Sequence, residues 1–112
     1  MFAFASMNGE LEGKRIFSSS VIDEFTREQW HHPCPIWGLD FRMGLGLSLN
    51  GGYPYLGPNP KAFGAAGGGG SFGLADRENQ LSIGYCLNNW WPKAELGARA
   101  TGLINATYAS LE

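Results

Sequence analysis

Charged residues are scarce in this sequence, at 16% of 112 residues, against about 25% in an average soluble protein. The formal net charge is only −2, so the chain lacks the basic footprint of a nucleic-acid-binding protein. Hydrophobic residues make up 44%, which allows one core in a single small domain. The scarcity of charge indicates that part of the surface is covered by another layer.

Cysteine and histidine are also rare, with two of each. Cys34 and Cys86 allow one disulfide or two free thiols, and the absence of a secretory signal favours free thiols. His31, His32 and Cys34 resemble part of a metal site, but zinc sites need three or four ligands. A solvated loop is therefore favoured here, and we expect no metal and no cofactor.

Long apolar runs are absent. No stretch approaches the roughly 20 apolar residues of a transmembrane helix, so we expect no membrane span. The opening residues 1–5 are too short and too uncharged for a signal peptide, which favours a cytoplasmic location.

The first third of the chain has helix signals. Residues 2–7 are typical of the last turns of a helix, which Asn8 and Gly9 would cap, and the missing first half indicates truncation. A second helix is predicted to begin at residues 18–20, where Ser20 and Asp23 resemble a capping box, and to end near Gln29. Residues 30–35 are predicted to form a loop, because two prolines interrupt them.

The remaining residues combine strand and helix signals. Residues 41–49 alternate between large apolar side chains and small or polar ones, as expected for one strand. Residues 71–75 and 81–88 are predicted to pair as a hairpin. Residues 94–111 place apolar side chains at helical spacing.

Together these signals predict an α+β fold: about three antiparallel strands, a C-terminal helix packed on them and small N-terminal helices. Residues 1–35 would end a helical region, and residues 36–112 would supply the strands and the last helix. One helix covers only one face of a sheet, so the pattern also predicts a partner layer that this chain does not supply.

Two glycine-rich patterns could carry chemistry. Residues 69–73 match G-x-S-x-G, but a strand follows Ser71 instead of a helix, and no histidine lies after it, so a chance match is favoured over a nucleophile elbow. The run at 64–70 lacks a following Gly-Lys-Ser/Thr and is not a Walker loop. A small enzyme that uses Ser71 remains an alternative.

The run at 62–76, with its continuation at 78–88, resembles the third motif region of serine β-lactamase-like hydrolases. This family includes class C β-lactamases, family VIII-type esterases and penicillin-binding-protein-like enzymes. Its members have a similar pattern, F-G-H-x-G-x-G-G-S-x-G-F-A-D-P-E, followed by a strand. Residues 37–39 and 44–46 resemble the preceding strand of the family, and residues 106–111 its terminal helix.

The resemblance implies a partial β-lactamase/transpeptidase-like fold and hydrolysis of an ester or amide bond through an acyl-serine. The third motif, which lies on a strand at the pocket edge, corresponds to Ala65, Ala66 and Gly67, and Gly68 would donate its backbone N–H to the oxyanion. The family's S-x-x-K and Y-x-N motifs are absent here. We therefore expect no catalytic residue in this chain, and a missing N-terminal portion of the domain as its partner.

Ala65 stands where the family has lysine or histidine. The resemblance therefore leaves two hypotheses open. The chain is either the C-terminal part of a hydrolase, which acts on a small ester or lactam only when completed, or a non-catalytic binding or scaffold module with the same fold.

Overall fold

The computed structural model describes residues 1–93 and 95–111. Three helices are present: α1 (Phe2–Ser6), α2 (Ser19–Phe25) and α3 (Gly97–Ala109). The first five strands are β1 (Glu10–Leu11), β2 (Lys14–Arg15), β3 (Trp30–Pro33), β4 (Asp40–Met43) and β5 (Ser48–Leu49). The last three are β6 (Phe63–Ala66), β7 (Phe72–Asp76) and β8 (Leu81–Tyr85).

Strands β3 to β8 form one antiparallel sheet in which each strand lies beside its neighbour in the chain. Strands β1 and β2 form a separate hairpin. This arrangement needs only short connections, because antiparallel neighbours can be joined by tight turns. It confirms the α+β class and the β7–β8 hairpin, but the sheet has six strands instead of the predicted three.

The predicted strand at 41–49 is wrong, since the chain reverses direction within it. β4 and β5 pair with each other, with Met43 opposite Ser48. Gly46 takes φ +74°, and the Gly44 amide donates to the Leu47 carbonyl at 2.9 Å. Alternation of apolar residues continued through this turn, with Leu45 left exposed, so periodicity alone could not reveal the reversal.

Two further strands account for the rest of the difference. β3 occupies residues predicted as a loop and pairs along its whole length with β4, so residues 1–35 also supply a strand to the sheet. Pro33 is tolerated because β3 is an edge strand. β6 lies in the glycine-rich run, where small residues gave no alternation signal, although the family resemblance did place a strand there.

Helix α2 begins two residues earlier than the capping-box prediction, which placed the N-cap at Ser20. Its N-cap is Ser18, whose hydroxyl accepts a hydrogen bond from the Val21 amide at 3.3 Å. The helix ends at Phe25 and not near Gln29, because the Gln29 amide donates to the Met43 carbonyl at 2.8 Å at the start of β3. Tertiary pairing therefore sets this boundary.

The C-terminal helix packs on one face of the sheet, as predicted. α3 begins at Gly97, three residues later than expected, and residue 94 lies outside the described residues. No helix within 1–93 and 95–111 is long and apolar enough to cross a membrane. The core under α3 joins helix, loop and strand side chains: Leu56, Ala62, Phe72, Leu74, Leu96, Ala100, Ile104 and Tyr108.

The opposite face has its own small core, which corrects the expectation that this chain leaves that face bare. Helices α1 and α2 contribute to it together with β5, β6 and β7, through Ala5, Ile22, Leu47, Leu49, Phe63 and Ala75. α1 contacts β7 and β8. A Cβ added at Gly73 of β7 would lie 2.4 Å from the Phe2 ring, so the missing side chain allows this close approach.

A buried carboxylate ties α3 to the sheet. Asp76 is 0% exposed and accepts side-chain hydrogen bonds from Asn59 and Asn79 at 2.8 Å and from the Tyr108 hydroxyl at 2.7 Å. It also accepts from the Glu78 and Asn79 amides. Burial raises the pKa of Asp76, but the hydrogen bonds from Asn79, Tyr108 and Asn59 outweigh it, so the pKa lies below its usual value.

Two glycines should respond oppositely to alanine. A Cβ at Gly102 in α3 meets nothing within 4 Å, so Gly102→Ala should raise the free energy of unfolding by about 1 kcal/mol. A Cβ at Gly64 in β6 would lie 2.1 Å from the Gly73 carbonyl oxygen, so Gly64→Ala should lower it by about 2 kcal/mol or more. Urea unfolding checks both, and equal effects of the two variants would contradict the strand packing described here.

Candidate functional site

The four motif positions lie where β6 leaves the middle of the sheet. β7 pairs along the whole of β6, from Phe63 opposite Ala75 to Ala66 opposite Phe72. On its other side β6 is paired with β5 only at Phe63 and Gly64. Among the described residues, no strand pairs with Ala65 and Ala66 on that side. The second half of β6 therefore presents an open backbone edge inside an otherwise continuous sheet.

Ala65 and Ala66 point to opposite faces, because side chains alternate along a strand. Ala65 is exposed and aligns with Gly73, on the face covered by α1. Ala66 aligns with Phe72 and packs at the border of the α3 core. The position where the resemblance expects a lysine or histidine therefore faces outwards with only a methyl group.

The residues after β6 form a tight turn. The Gly67 amide donates to the Ser71 carbonyl at 2.8 Å, and the Gly70 amide donates to the Gly67 carbonyl at 3.2 Å. Gly69 takes φ +96° and Gly70 φ +99°, a conformation in which a side chain would be strained. The glycine-rich run thus serves the turn geometry and close backbone approach.

Gly68 lies at the tip of this turn and is exposed. Within the described part of the chain its amide makes no hydrogen bond, and a Cβ at this position would meet nothing within 4 Å. Its N–H is therefore available to a ligand. Gly67 and Gly68 also line a cavity of about 320 Å³ whose remaining walls are largely aromatic.

Ser71 has no catalytic surroundings. It lies between β6 and β7 and is followed by a strand, so the strand–turn–helix of a nucleophile elbow is absent at this serine. In residues 1–93 and 95–111 no base is hydrogen-bonded to its hydroxyl. His31 and His32 lie on β3 at the far edge of the sheet, and His31 Nε2 is 2.9 Å from Asp40 Oδ2.

The remaining ligand candidates do not converge. The described residues contain no group of three or more His, Cys, Asp or Glu side chains arranged to hold a metal ion. Cys34 follows β3 and Cys86 follows β8, the two outer strands of the sheet, and both thiols are free. The single-disulfide alternative is therefore not realised in this structure.

The sequence did not indicate the aromatic wall beside the motif. Trp37, Phe41, Tyr53 and Trp90 lie far apart in the chain but line the same cavity as Gly68. Their number was visible as an aromatic content of 13%, but only the β4–β5 reversal brings residues 37–53 beside the end of β6.

An antiparallel sheet with helices on both faces and a glycine-rich motif at an open strand edge defines a portion of a serine β-lactamase-like fold. The solved structures that share it include the following two proteins. The first is the crystal structure of a family VIII carboxylesterase, whose sequence is 37% identical to this chain. The match has a TM-score of 0.89 and covers 96% of this chain and 29% of that chain. The crystal structure of a penicillin-binding protein homologue from Caulobacter crescentus is 28% identical, with a TM-score of 0.92, over 97% of this chain and 29% of that chain.

These similarities confirm the resemblance to the serine β-lactamase-like hydrolases. The chain spans 29% of the length of each of the two solved proteins. No family model matches the sequence, and no curated protein matches it.

Proposed function

We propose that this chain supplies the third-motif strand of a serine β-lactamase-like hydrolase that cleaves ester or amide bonds. The observation that carries the proposal is the open edge of β6, followed by the unbonded Gly68 amide at the position assigned to the oxyanion donor. A backbone N–H held in a rigid turn stabilises the negative charge that develops on the carbonyl oxygen in the transition state. This role needs no side chain.

The nucleophile would come from polypeptide outside these 112 residues. The sequence contains no S-x-x-K and no Y-x-N, which supply the serine, lysine and tyrosine in the family that the chain resembles. Loss of a nucleophile leaves only the small residual rate that binding and oxyanion stabilisation provide. We therefore expect the chain to be inactive until it is completed.

The outer strand β8 supports the proposal that further polypeptide extends the sheet. Natural edge strands are usually blunted by proline, charge or a bulge. β3 fits this rule, because it contains Pro33 and two histidines. β8, the other outer strand, is Leu-Ser-Ile-Gly-Tyr, with neither proline nor charge. A strand from the rest of the domain would satisfy this edge.

A chimera tests the proposal. The 29% of the family VIII carboxylesterase that this chain matches is replaced by residues 1–112, and hydrolysis of 4-nitrophenyl acetate is measured beside labelling with a fluorophosphonate. We expect turnover and covalent labelling of the chimera, and neither with the chain alone. Labelling of the chain alone, abolished by Ser71→Ala, would overturn the proposal and favour a small enzyme that uses Ser71.

The second candidate is a non-catalytic binding or scaffold module, which Ala65 favours. A methyl group at this exposed position cannot hold a proton or a charge. In the same chimera, Ala65→His restores a polar group without changing β6 pairing. An inactive chimera that gains esterase activity with Ala65→His would favour the scaffold, whereas an active chimera with Ala65 intact would exclude it.

A further inference from the structure

The cavity beside the third motif has an unusual composition. Its volume is about 320 Å³, and it is lined by residues 66–69, by aromatic residues from three separate segments and by Pro92 and Lys93. A cavity of about 150 Å³ already holds benzene in a protein interior. The space is therefore large enough for a ring and the atoms attached to it.

One wall is a continuous row of rings. The Trp37 and Phe41 centroids are 5.9 Å apart, and the Phe41 and Tyr53 rings meet edge to face with centroids 5.2 Å apart. The backbones of Phe41 and Tyr53 also form a bridge. This contact fixes the row on β4, so the wall is formed before any ligand arrives.

The facing wall is held against the glycine turn. A Cβ at Gly69 would lie 2.2 Å from the Trp90 ring, and the Trp91 amide donates to the Gly69 carbonyl at 2.9 Å. Trp90 is nevertheless 68% exposed and Trp37 60% exposed. Both indoles are therefore largely in contact with solvent, although they line the same cavity as Gly68.

The lining of the cavity restricts the shape of the ligand. Lys93 is the only ionisable cation among the described lining residues, and none of them is acidic. Aromatic rings provide large contact areas and favour edge-to-face or offset stacking, so the cavity suits a flat apolar group.

We propose that this cavity binds the planar aromatic group of the substrate, which makes the substrate class an aryl or arylmethyl ester or amide. The inference rests on the proposed hydrolase function. A ring between Trp37 and Trp90 would lie beside the Gly68 amide, with the attached carbonyl at the open edge of β6. The same cavity wall thus positions the substrate and provides the oxyanion donor.

Binding of an unreactive probe to the chain as it exists tests this site without any hydrolysis. The probe is 4-nitrobenzamide, which is flat and neutral, and quenching of tryptophan fluorescence and NMR line broadening report its binding. As competitors of the probe, we expect benzamide to bind at least about fivefold more tightly than cyclohexanecarboxamide, which has the same carboxamide on a non-planar ring. Equal competition by the two amides would overturn the proposal with no substitution needed.

Variants locate the site. Trp37→Ala and Trp90→Ala should each weaken probe binding about five- to tenfold, as expected for the loss of one stacking ring. Trp30→Ala is the matched control, because Trp30 is also partly exposed but does not line the cavity, and its affinity should equal that of the unchanged chain. Far-UV circular dichroism verifies the fold of each variant.

Unchanged affinity in both cavity variants would overturn the aromatic site. Failure of the carboxylesterase chimera to hydrolyse esters, with probe binding intact, would instead overturn the proposed catalytic role alone. The two proposals can therefore fail independently.

Discussion

Gly68→Pro should lower kcat of the active carboxylesterase chimera by about 10²–10³, the usual cost of losing one oxyanion donor. Proline has no backbone N–H, so the substitution removes the donor that we assign to the transition state. KM should change little, because the bond strengthens only as charge develops on the carbonyl oxygen. Steady-state hydrolysis of 4-nitrophenyl acetate measures both constants.

Gly68→Ala is the matched control for this experiment. It retains the N–H, a Cβ there meets nothing within 4 Å, and Gly68 lies outside the left-handed region that favours glycine. We expect its kcat to stay within about twofold of that of the unchanged chimera, because no contact is lost or strained. Equal loss in the alanine and proline variants would show a packing defect at the turn and contradict a role for the N–H.

Asp76→Ala should lower the free energy of unfolding by about 3 kcal/mol, because it removes a hydrogen-bonded carboxylate and leaves several buried donors unsatisfied. Tyr108→Phe removes a single bond, from the Tyr108 hydroxyl to Asp76 Oδ2 at 2.7 Å, and should cost about 1.5 kcal/mol. Urea unfolding measured by tryptophan fluorescence checks both. A smaller loss for Asp76→Ala than for Tyr108→Phe would contradict the central position of the carboxylate.

The shifted pKa values of Asp76 and Tyr108 predict how the stability of the protein depends on pH. The folded pKa of Asp76 is lowered, so its contribution is complete above the unfolded value of about 3.9 and is lost as the pH falls through the lower folded pKa. Burial and the Asp76 carboxylate raise the pKa of Tyr108. The contribution of Tyr108 to stability is therefore complete below its unfolded pKa of about 10, and it is lost as the pH rises towards the folded pKa.

The Asp76→Asn variant tests the acid-side loss of stability separately from the alkaline-side loss. An amide does not titrate, so the acid-side loss of stability should become shallower, and the measurement is a series of urea unfolding curves between about pH 2 and about pH 6, which spans the unfolded pKa and extends below it. An unchanged acid slope in Asp76→Asn would assign the pH dependence to other carboxyl groups.

Local patterns were enough for several elements. The alternation at 81–88 identified β8, apolar residues at helical spacing identified α3, and turn residues at 76–79 placed the hairpin between β7 and β8. In each case the local preference agreed with the tertiary structure, which is why short-range signals were sufficient. The assignment of Ala65 to Gly68 to the third motif came from the family resemblance and remains a prediction.

Local patterns failed where the tertiary structure set the outcome. The β4–β5 reversal preserves an apolar alternation across its turn, and it is held by a hydrogen bond from the Leu45 amide to the Phe25 carbonyl at 2.9 Å, which joins distant segments. β3 contains a proline and is stabilised as a strand only by pairing with β4. β6 has only one large side chain, Phe63, followed by Gly64, Ala65 and Ala66, which are too small to give an alternation signal.

The sequence by itself therefore determined the α+β class, the positions of the glycine-rich motif and the absence of the family's nucleophile motif from these residues. Only the tertiary structure decided that β5 stops pairing at Gly64, so that the edge beyond it is open. It also decided that four separated aromatic residues line the same cavity as Gly68. The physical reason is that residue spacing encodes which face of a strand a side chain occupies, whereas register and chain reversal determine which backbone groups and side chains meet.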